Sequence, residues 1–172
     1  MSIAQALLAE FEAQAPITRR FLERLPEDKL TWKPHAKSMT AGQLAYHLAV
    51  VPCGVLGAVR EDSVQAPDFK FPQPANLLEV LQAHDAGVKT IRELLPTFSD
   101  ERMTALWRMF AGDQELFATP RGEFLRNVML NHWYQHRGQF SVYLRLLDVA
   151  VPSSWGPSAD ELPAAMQKLQ PA

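Results

Sequence analysis

Residues 131–139 read NHWYQHRGQ and hold two histidines four positions apart. They lie inside an apolar-periodic run from Pro120 to about Leu147, which predicts one long helix. Side chains at positions i and i+4 of a helix lie on the same face. His132 and His136 can therefore direct both imidazoles at one point. Two converging imidazoles are two of the three protein ligands of a three-histidine metal site, which raises the question of a third ligand.

The composition predicts one soluble domain, and we assign residues 1–172 to it. A net charge of −2 provides no basic field for binding nucleic acid. Cys53 is the single cysteine, which excludes an internal disulfide and a cysteine-rich zinc site. The chain begins without a basic, apolar leader, and no window approaches the roughly 18 uncharged apolar residues of a membrane span. We therefore expect a cytoplasmic protein with no membrane association.

Two further segments have apolar residues at helical spacing. One runs from about Ser2 to Leu25, where Pro16 can kink it, and the other runs from residue 75 or 76 until Pro96 stops it. A second helix begins near residue 40, and the run from Pro120 to about Leu147 is the fourth. The sequence therefore contains four long amphipathic helices and no convincing sheet. This pattern predicts an all-α four-helix bundle. Its connections are too long for a minimal up-down-up-down bundle.

Residues 99–118 are ambiguous, because they fit either short extended segments or a broken helix around a turn-like Ala-Gly-Asp. Thr119 and Pro120 then predict a helix start, with a capping residue followed by proline at the first helical position. The tail at 153–161 predicts a loop, followed by a short helix that ends near Leu169.

His47 is the candidate third ligand. Thr40 and Gln43 form the Thr-x-x-Gln pattern of a capping box and open the second helix, whose apolar stripe includes His47. Pro52 in the same helix predicts a kink just after His47. A lone histidine on an apolar face is usually a core residue bonded to a neighbour, and the pair in the last helix has the same simpler interpretation. Two helices that each place histidine inward can, however, build a metal site with an open coordination position.

Two histidines remain. His84 has polar flanks, so we expect it at the surface or in contact with a metal ligand. His35 follows Pro34 in a loop, so we expect it to face solvent. By side-chain type alone, either could be a fourth ligand.

Four sequence motifs together resemble those of one protein family. QLAYHLA at 43–49 places His47 just inside the capped start of the second helix, residues 132–139 read HWYQHRGQ, and the tail at 156–161 reads GPSADE. TPRGE at 119–123 precedes the last helix. With these motifs, which extend over essentially the whole sequence, the chain resembles the DinB/YfiT-like superfamily of bacterial metalloenzymes.

The resemblance implies a four-helix bundle wound up-down-down-up, with long crossovers after helices 2 and 3. It implies a divalent metal, often nickel or zinc, bound by three histidines that match His47, His132 and His136. Members are commonly homodimers. Characterised relatives include transferases and isomerases that use bacillithiol, mycothiol or glutathione. Many members have no assigned reaction, so membership defines the site better than the substrate.

The neighbours of the histidines narrow the chemistry. No glutamate lies between His132 and His136, so the motif lacks the general base of His-Glu-x-x-His metalloproteases. Glu123 is roughly 13 Å away by helical rise, and Cys53 is better interpreted as a small buried apolar residue than as a nucleophile. We therefore predict a metal-dependent transferase that acts with a low-molecular-weight thiol on a small electrophile. A non-catalytic metal-binding or stress-related protein and a metal-dependent hydrolase are the alternatives.

Three residues are candidates for contact with the small-molecule substrate. Gln43 lies one turn before His47, and Gln139 lies three residues after His136. Trp107, in the ambiguous segment, could cover the end of the bundle. For all three, packing or surface hydrogen bonding is the simpler interpretation.

Overall fold

Four long helices and a small sheet make up the protein, whose computed structural model describes residues 1–68, 70–163 and 166. The last long helix is built from three consecutive pieces, of which the middle one is π-helical. Short 3₁₀ turns occupy Glu27–Lys29 and Leu95–Thr97. The elements in chain order are α1 (Ile3–Glu23), α2 (Ala41–Ala58), β1 (Ser63–Gln65), α3 (Leu77–Leu94), α4 (Asp100–Thr104), β2 (Leu106–Ala111), β3 (Gln114–Pro120), α5 (Arg121–Phe124), the π segment (Leu125–Asn131) and α6 (His132–Leu146).

The first three long helices begin at capping side chains. Ser2 and Gln5 exchange the two hydrogen bonds of a capping box at the start of α1, and Thr40 and Gln43 do the same at α2. The side chain of Asn76 accepts a backbone hydrogen bond at the start of α3. These contacts satisfy amides that have no partner inside the helix. The helix positions predicted from the sequence are therefore confirmed within a few residues.

The prolines behave differently from one helix to the next. Pro16 and Pro52 lie inside α1 and α2, which both continue through them. The last helix begins one residue later than predicted, because Pro120 occupies the capping position and Arg121 is the first helical residue. Thr119 is still paired in β3, so its predicted role as the cap is wrong.

Hydrogen bonds between helices define their directions. α1 runs parallel to the last helix and antiparallel to α3, and α2 runs antiparallel to the last helix. The start of α3 lies beside the start of α2, since Gln73 binds Thr40 and the Leu30 carbonyl, so α2 and α3 are parallel. Taking α1 as up, the four long helices run up, down, down and up. The bonds that establish these directions are Arg126–Glu10, Arg137–Thr18, Arg92–Glu12, Arg19–Asp85, Trp133–Leu48 and Tyr143–Met39, where Met39 lies just before α2.

The prediction of a purely all-α fold is wrong, because the crossovers form a three-stranded sheet in the order β1-β2-β3. β2 and β3 are an antiparallel hairpin, and β1 pairs with β2 in parallel. Gly112 turns the hairpin with a φ of +58°, a conformation that glycine adopts without a steric cost. Of the two interpretations of residues 99–118, the extended one is correct from Leu106 onward. Most residues of β3 are exposed, so the hairpin lacks the apolar alternation that marks a half-buried strand.

α2 is the central helix of the bundle. By length and composition alone it is apolar enough to cross a membrane, which the sequence interpretation overlooked. It packs against α3, the π segment and α6, and 44% of it is buried. We therefore interpret α2 as the core helix of a soluble domain. The largest fully buried apolar side chains of the core include Phe11, Leu44, Leu48, Ile91, Trp133 and Phe140.

The GPSADE tail is a hydrogen-bonded loop, as predicted. Asp160 pairs with Arg145 and accepts the amide of Val151, while Glu161 pairs with Arg20. These contacts fasten the tail to the end of α6 and to α1. The short helix predicted to end near Leu169 lies outside the described residues.

Candidate metal centre

The three predicted metal ligands come together between α2 and α6. One donor nitrogen from each of His47, His132 and His136 lies within 4.8 Å of the other two. Nε2 of His132 is 2.8 Å from Nε2 of His136. The ring of His47 lies 5.4 Å from that of His132 and 4.6 Å from that of His136, both nearly perpendicular. Two nitrogens bound to one tetrahedral zinc lie about 3.3 Å apart, so small rotations of the rings would create a shared coordination point.

The π segment sets the angular position of the two histidines in the last helix. It spans Leu125–Asn131 and ends directly before His132, whose amide donates to the carbonyl of Asn127, five residues earlier. π-helical turns are rare and occur frequently at functional sites. The wider turn changes which face the following residues present. Regular α-helical geometry then begins at His132 and keeps His136 one turn above it.

The electrostatic environment keeps two of these imidazoles neutral. Burial, followed by the proximity of His136 and His132, lowers the pKa of His47 to about 4. Burial and His136 likewise lower the pKa of His132. Near neutral pH these rings are therefore unprotonated at one nitrogen and can donate a lone pair. A set of converging neutral imidazoles fits a divalent transition metal.

Gln139 orients one of the ligands. Its Oε1 lies 2.7 Å from Nδ1 of His136, so it can accept the Nδ1–H hydrogen bond. That bond leaves the lone pair on Nε2, which faces His132. Gln139 thus lies behind the His136 ring, and its predicted contact with a substrate stays a prediction.

Gln43 lies near the rim, but its side chain is engaged with the backbone. Its Oε1 accepts the Thr40 amide, and its Nε2 donates to the Phe71 carbonyl at 2.8 Å. Phe71 packs its ring on His47, with centroids 5.5 Å apart. Gln43 therefore positions a residue that contacts the site. The sequence interpretation missed Phe71, because the proline-rich connection around it carries no helical or strand pattern.

Trp107 lies behind the wall of an apolar cavity that adjoins the histidines. The side chain is fully buried, and its Nε1 donates to the carbonyl of Ala58 at 3.2 Å. It packs against Phe124 with ring centroids 4.2 Å apart. Trp107 therefore supports a cavity wall, and the expectation that it contacts a substrate directly does not fit this conformation.

An apolar cavity of about 550 Å³ adjoins the histidines. His47 and His132 contribute to its lining, and the other walls come from the later part of α2, the sheet and the beginning of the last helix. The apolar lining residues are Val50, Val51, Gly54, Val55, Ala58, Val64, Pro67, Met109, Phe117, Phe124 and Val128. A cavity of this volume is within the usual range for small-molecule sites.

The other two histidines lie outside the group. His84 is only 4% exposed, so the expectation that it lies at the surface is wrong. Its Nδ1 lies 3.3 Å from Asp85, and burial lowers its pKa. The expectation rested on its polar sequence neighbours, but the His84 side chain lies on the buried face of α3. His35 is exposed in its loop, as predicted.

Arg137 is the buried member of the HRGQ motif that the sequence interpretation left without a role. Its guanidinium donates to Oε1 of Gln14 at 2.8 Å and to Oγ1 of Thr18 at 3.2 Å. It also lies over the Tyr134 ring. Arg137 therefore joins α6 to α1 on the side of the helix that faces away from the metal ligands.

Comparison with known proteins agrees with this architecture. The DinB family model matches residues 1–164. The uncharacterized protein YrdA of Bacillus subtilis is 28% identical over 153 residues, which cover 88% of this chain and 86% of that protein. A crystal structure of a DinB-like protein from Bacillus cereus has a TM-score of 0.70 at 20% identity and covers 88% of this chain and 97% of its own. For the DinB-like protein YjoA of Bacillus subtilis the TM-score is 0.63 at 18% identity, with coverage of 91% and 98%. The chain belongs to the DinB family.

Proposed function

We propose that this protein is a metal-dependent transferase that joins a low-molecular-weight thiol to a small electrophile. His47, His132 and His136 would hold one divalent ion, with nickel and zinc as the expected metals. The observation that carries the proposal is the position of three converging imidazoles beside an apolar cavity of about 550 Å³. A metal held only to stabilise the fold needs no such cavity.

The protein side chains have positioning roles in this proposal. The two imidazoles with lowered pKa supply lone pairs without first releasing a proton near neutral pH. Gln139 holds His136 in the tautomer whose Nε2 faces the other ligands. When bound, a divalent ion supplies positive charge that favours the thiolate form of a thiol and attracts electron density from an electrophile.

The surroundings favour a nucleophile that comes from outside the protein. Among the described residues that line the cavity there is no aspartate, glutamate or cysteine. Cys53 is a half-buried residue of α2, and its Cβ would lie 3.4 Å from a Cβ built on Gly87 of α3. Water and a thiol must each lose a proton before attack, but a thiol ionises at a pKa of about 8.5 and water at about 15.7, so the thiol depends less on a carboxylate base, which the described lining lacks. The thiol reaction is therefore the better-supported alternative.

The proposal is tested with protein purified without a histidine tag and loaded with nickel or zinc. It is incubated with bacillithiol, mycothiol or glutathione and a halogenated aromatic electrophile. A carbon–sulfur bond replaces the carbon–halogen bond, halide and the thiol proton are released, and the thioether product is measured by mass spectrometry. We expect product only with metal, and none from His136→Ala with an unchanged circular dichroism spectrum. A metal-loaded protein that consumes no thiol, yet loses much of its thermal stability on chelation, would instead hold a structural metal.

We further propose a homodimer in the bacterial cytoplasm, which rests on the family resemblance. Light scattering on the metal-loaded protein measures the mass directly. A mass of one chain at micromolar concentration would contradict the dimer.

A further inference from the structure

The shape of the cavity beside the histidines depends on the size of the α2 side chains. His47 and three valines line it from α2, and the same side of the helix also presents Gly54 and Ala58. A Cβ atom built on Gly54 meets no other atom within 4 Å, so the space beside it is open. The cavity therefore extends away from His47 along α2 as an open trough. The hairpin forms the opposite wall of this trough through Met109 and Phe117.

The lining offers few groups to a polar ligand. Among the described lining residues there is no aspartate, glutamate, lysine or arginine. Gln65 is the one amide, and both of its ends are engaged, because its Nε2 donates to the Gly112 carbonyl and its Oε1 accepts the Gly112 amide. The imidazoles of His47 and His132 are then the polar groups left for a ligand. A charged group placed further along the trough would lose water without gaining a partner.

We infer that this cavity holds the body of an uncharged, apolar electrophile whose reacting end lies beside His47 and His132. The inference rests on the proposed function and names its substrate class. The volume of about 550 Å³ suits one small molecule, and the absence of charged residues from the described lining matches a neutral body. Polarity is confined to the histidine end, which fixes the direction in which such a molecule binds.

The experiment compares two fluorescent probes on the metal-free protein. N-phenylnaphthylamine is neutral, and anilinonaphthalene sulfonate is the same skeleton with one negative charge. Omitting the metal removes the cation that would otherwise attract the sulfonate. We expect the neutral probe to bind at least about tenfold more tightly, because the walls cannot pair with the charge.

Two glycine variants in α2 locate the binding. Gly54→Leu should weaken binding of the neutral probe at least about tenfold, because the side chain occupies the trough. Gly57→Leu is the matched control, since Gly57 is also exposed in α2 and a Cβ there also meets nothing within 4 Å, but it does not line the cavity. Its affinity should match that of the original protein. Leucine is a better helix former than glycine, so both variants should fold.

Metal binding is measured on the same variants. Retained metal in Gly54→Leu with loss of the neutral probe supports the inference. Equal probe binding by Gly54→Leu and Gly57→Leu, or tighter binding of the sulfonate, overturns it while leaving the metal centre intact. If the unmodified protein binds the neutral probe in the trough but no metal, the proposed function fails instead. If it binds no neutral probe and Gly54→Leu converts a dimer to a monomer, the trough is an interface between two copies and the inference is wrong.

Discussion

The last helix carries two polar clusters that differ in how well their members complement one another. On one side, Arg137 donates to Gln14 and Thr18 of α1. On the other side, His132 and His136 point nitrogens at one another and at His47. The first cluster pairs donors with acceptors inside the protein. The second brings together three groups of the same kind, which bind each other poorly and a shared cation well.

Burial has different consequences in the two clusters. It lowers the pKa of Arg137 and of His47. Arginine nevertheless keeps its charge, because its ordinary pKa lies far above neutrality. His47, at a pKa of about 4, is neutral and free to act as a ligand. The Arg137 cluster is therefore expected to serve stability, and the histidine cluster to serve binding.

Loss of one metal-binding histidine should have the largest effect, a fall in metal affinity. His136→Ala removes one of three donors, so we expect metal affinity to fall by at least about a thousandfold, beyond the effect of altering a residue that only supports a ligand. Titration calorimetry with nickel and zinc measures the change. His35→Ala, which removes an exposed imidazole, is the control and should bind metal normally. If His136→Ala and His35→Ala bound metal with comparable affinity, the histidine cluster would not be a metal site, and the proposed difference between the two clusters would be wrong.

Loss of the arginine should affect stability and spare the metal. Arg137→Leu leaves polar atoms of Gln14 and Thr18 without their partner, which should lower the free energy of unfolding by about 2–3 kcal/mol in urea titrations. Arg92→Ala breaks an exposed ion pair with Glu12 and should change it by less than about 1 kcal/mol. A large loss of metal affinity in folded Arg137→Leu would show that the two sides of the helix are coupled.

Removal of the residue behind His136 should have an intermediate effect. Gln139→Ala deletes the acceptor for Nδ1–H, so we expect metal affinity to fall about tenfold. Gln139→Glu retains an acceptor and should restore most of that affinity. If both variants bind like the original protein, Gln139 does not orient the ring.

A further effect should appear in the pH dependence of the metal-free protein. The pKa of His47 is about 4 in the folded chain, against an ordinary value of 6.5. The unfolded chain therefore takes up this proton at a higher pH, so stability is greatest above about pH 6.5 and falls toward pH 4. Urea titrations across this range measure the slope. His47→Gln should flatten it, and an unchanged slope would assign it to other groups.

The sequence predicts those features that are encoded by local patterns. The capping residue Thr40 locates the start of the second helix, and apolar spacing locates the first helix within a few residues. The four-residue spacing of the last two histidines places them on one face, and His47 follows from its position on a capped apolar helix. Each inference needs only a few neighbouring residues and the geometry of one helix.

Features that depend on distant contacts were missed. β1 pairs with β2 across more than forty intervening residues, and the exposed hairpin has no clear alternation. Arg137 is buried where its guanidinium can donate hydrogen bonds to Gln14 and Thr18 of α1. The π segment shifts the helical register by an amount that spacing rules do not include. Such features arise from packing between elements, which local patterns do not record.

Metal-edge X-ray absorption on protein purified without a histidine tag tests the central claim most directly. We predict about one divalent transition metal per chain in a nitrogen-rich shell that includes three imidazoles, and loss of that signal in folded His136→Ala. A protein that contains no stoichiometric metal after loading and gentle desalting, or one whose metal signal is unchanged in His136→Ala, would contradict the assignment of His47, His132 and His136 as a metal centre.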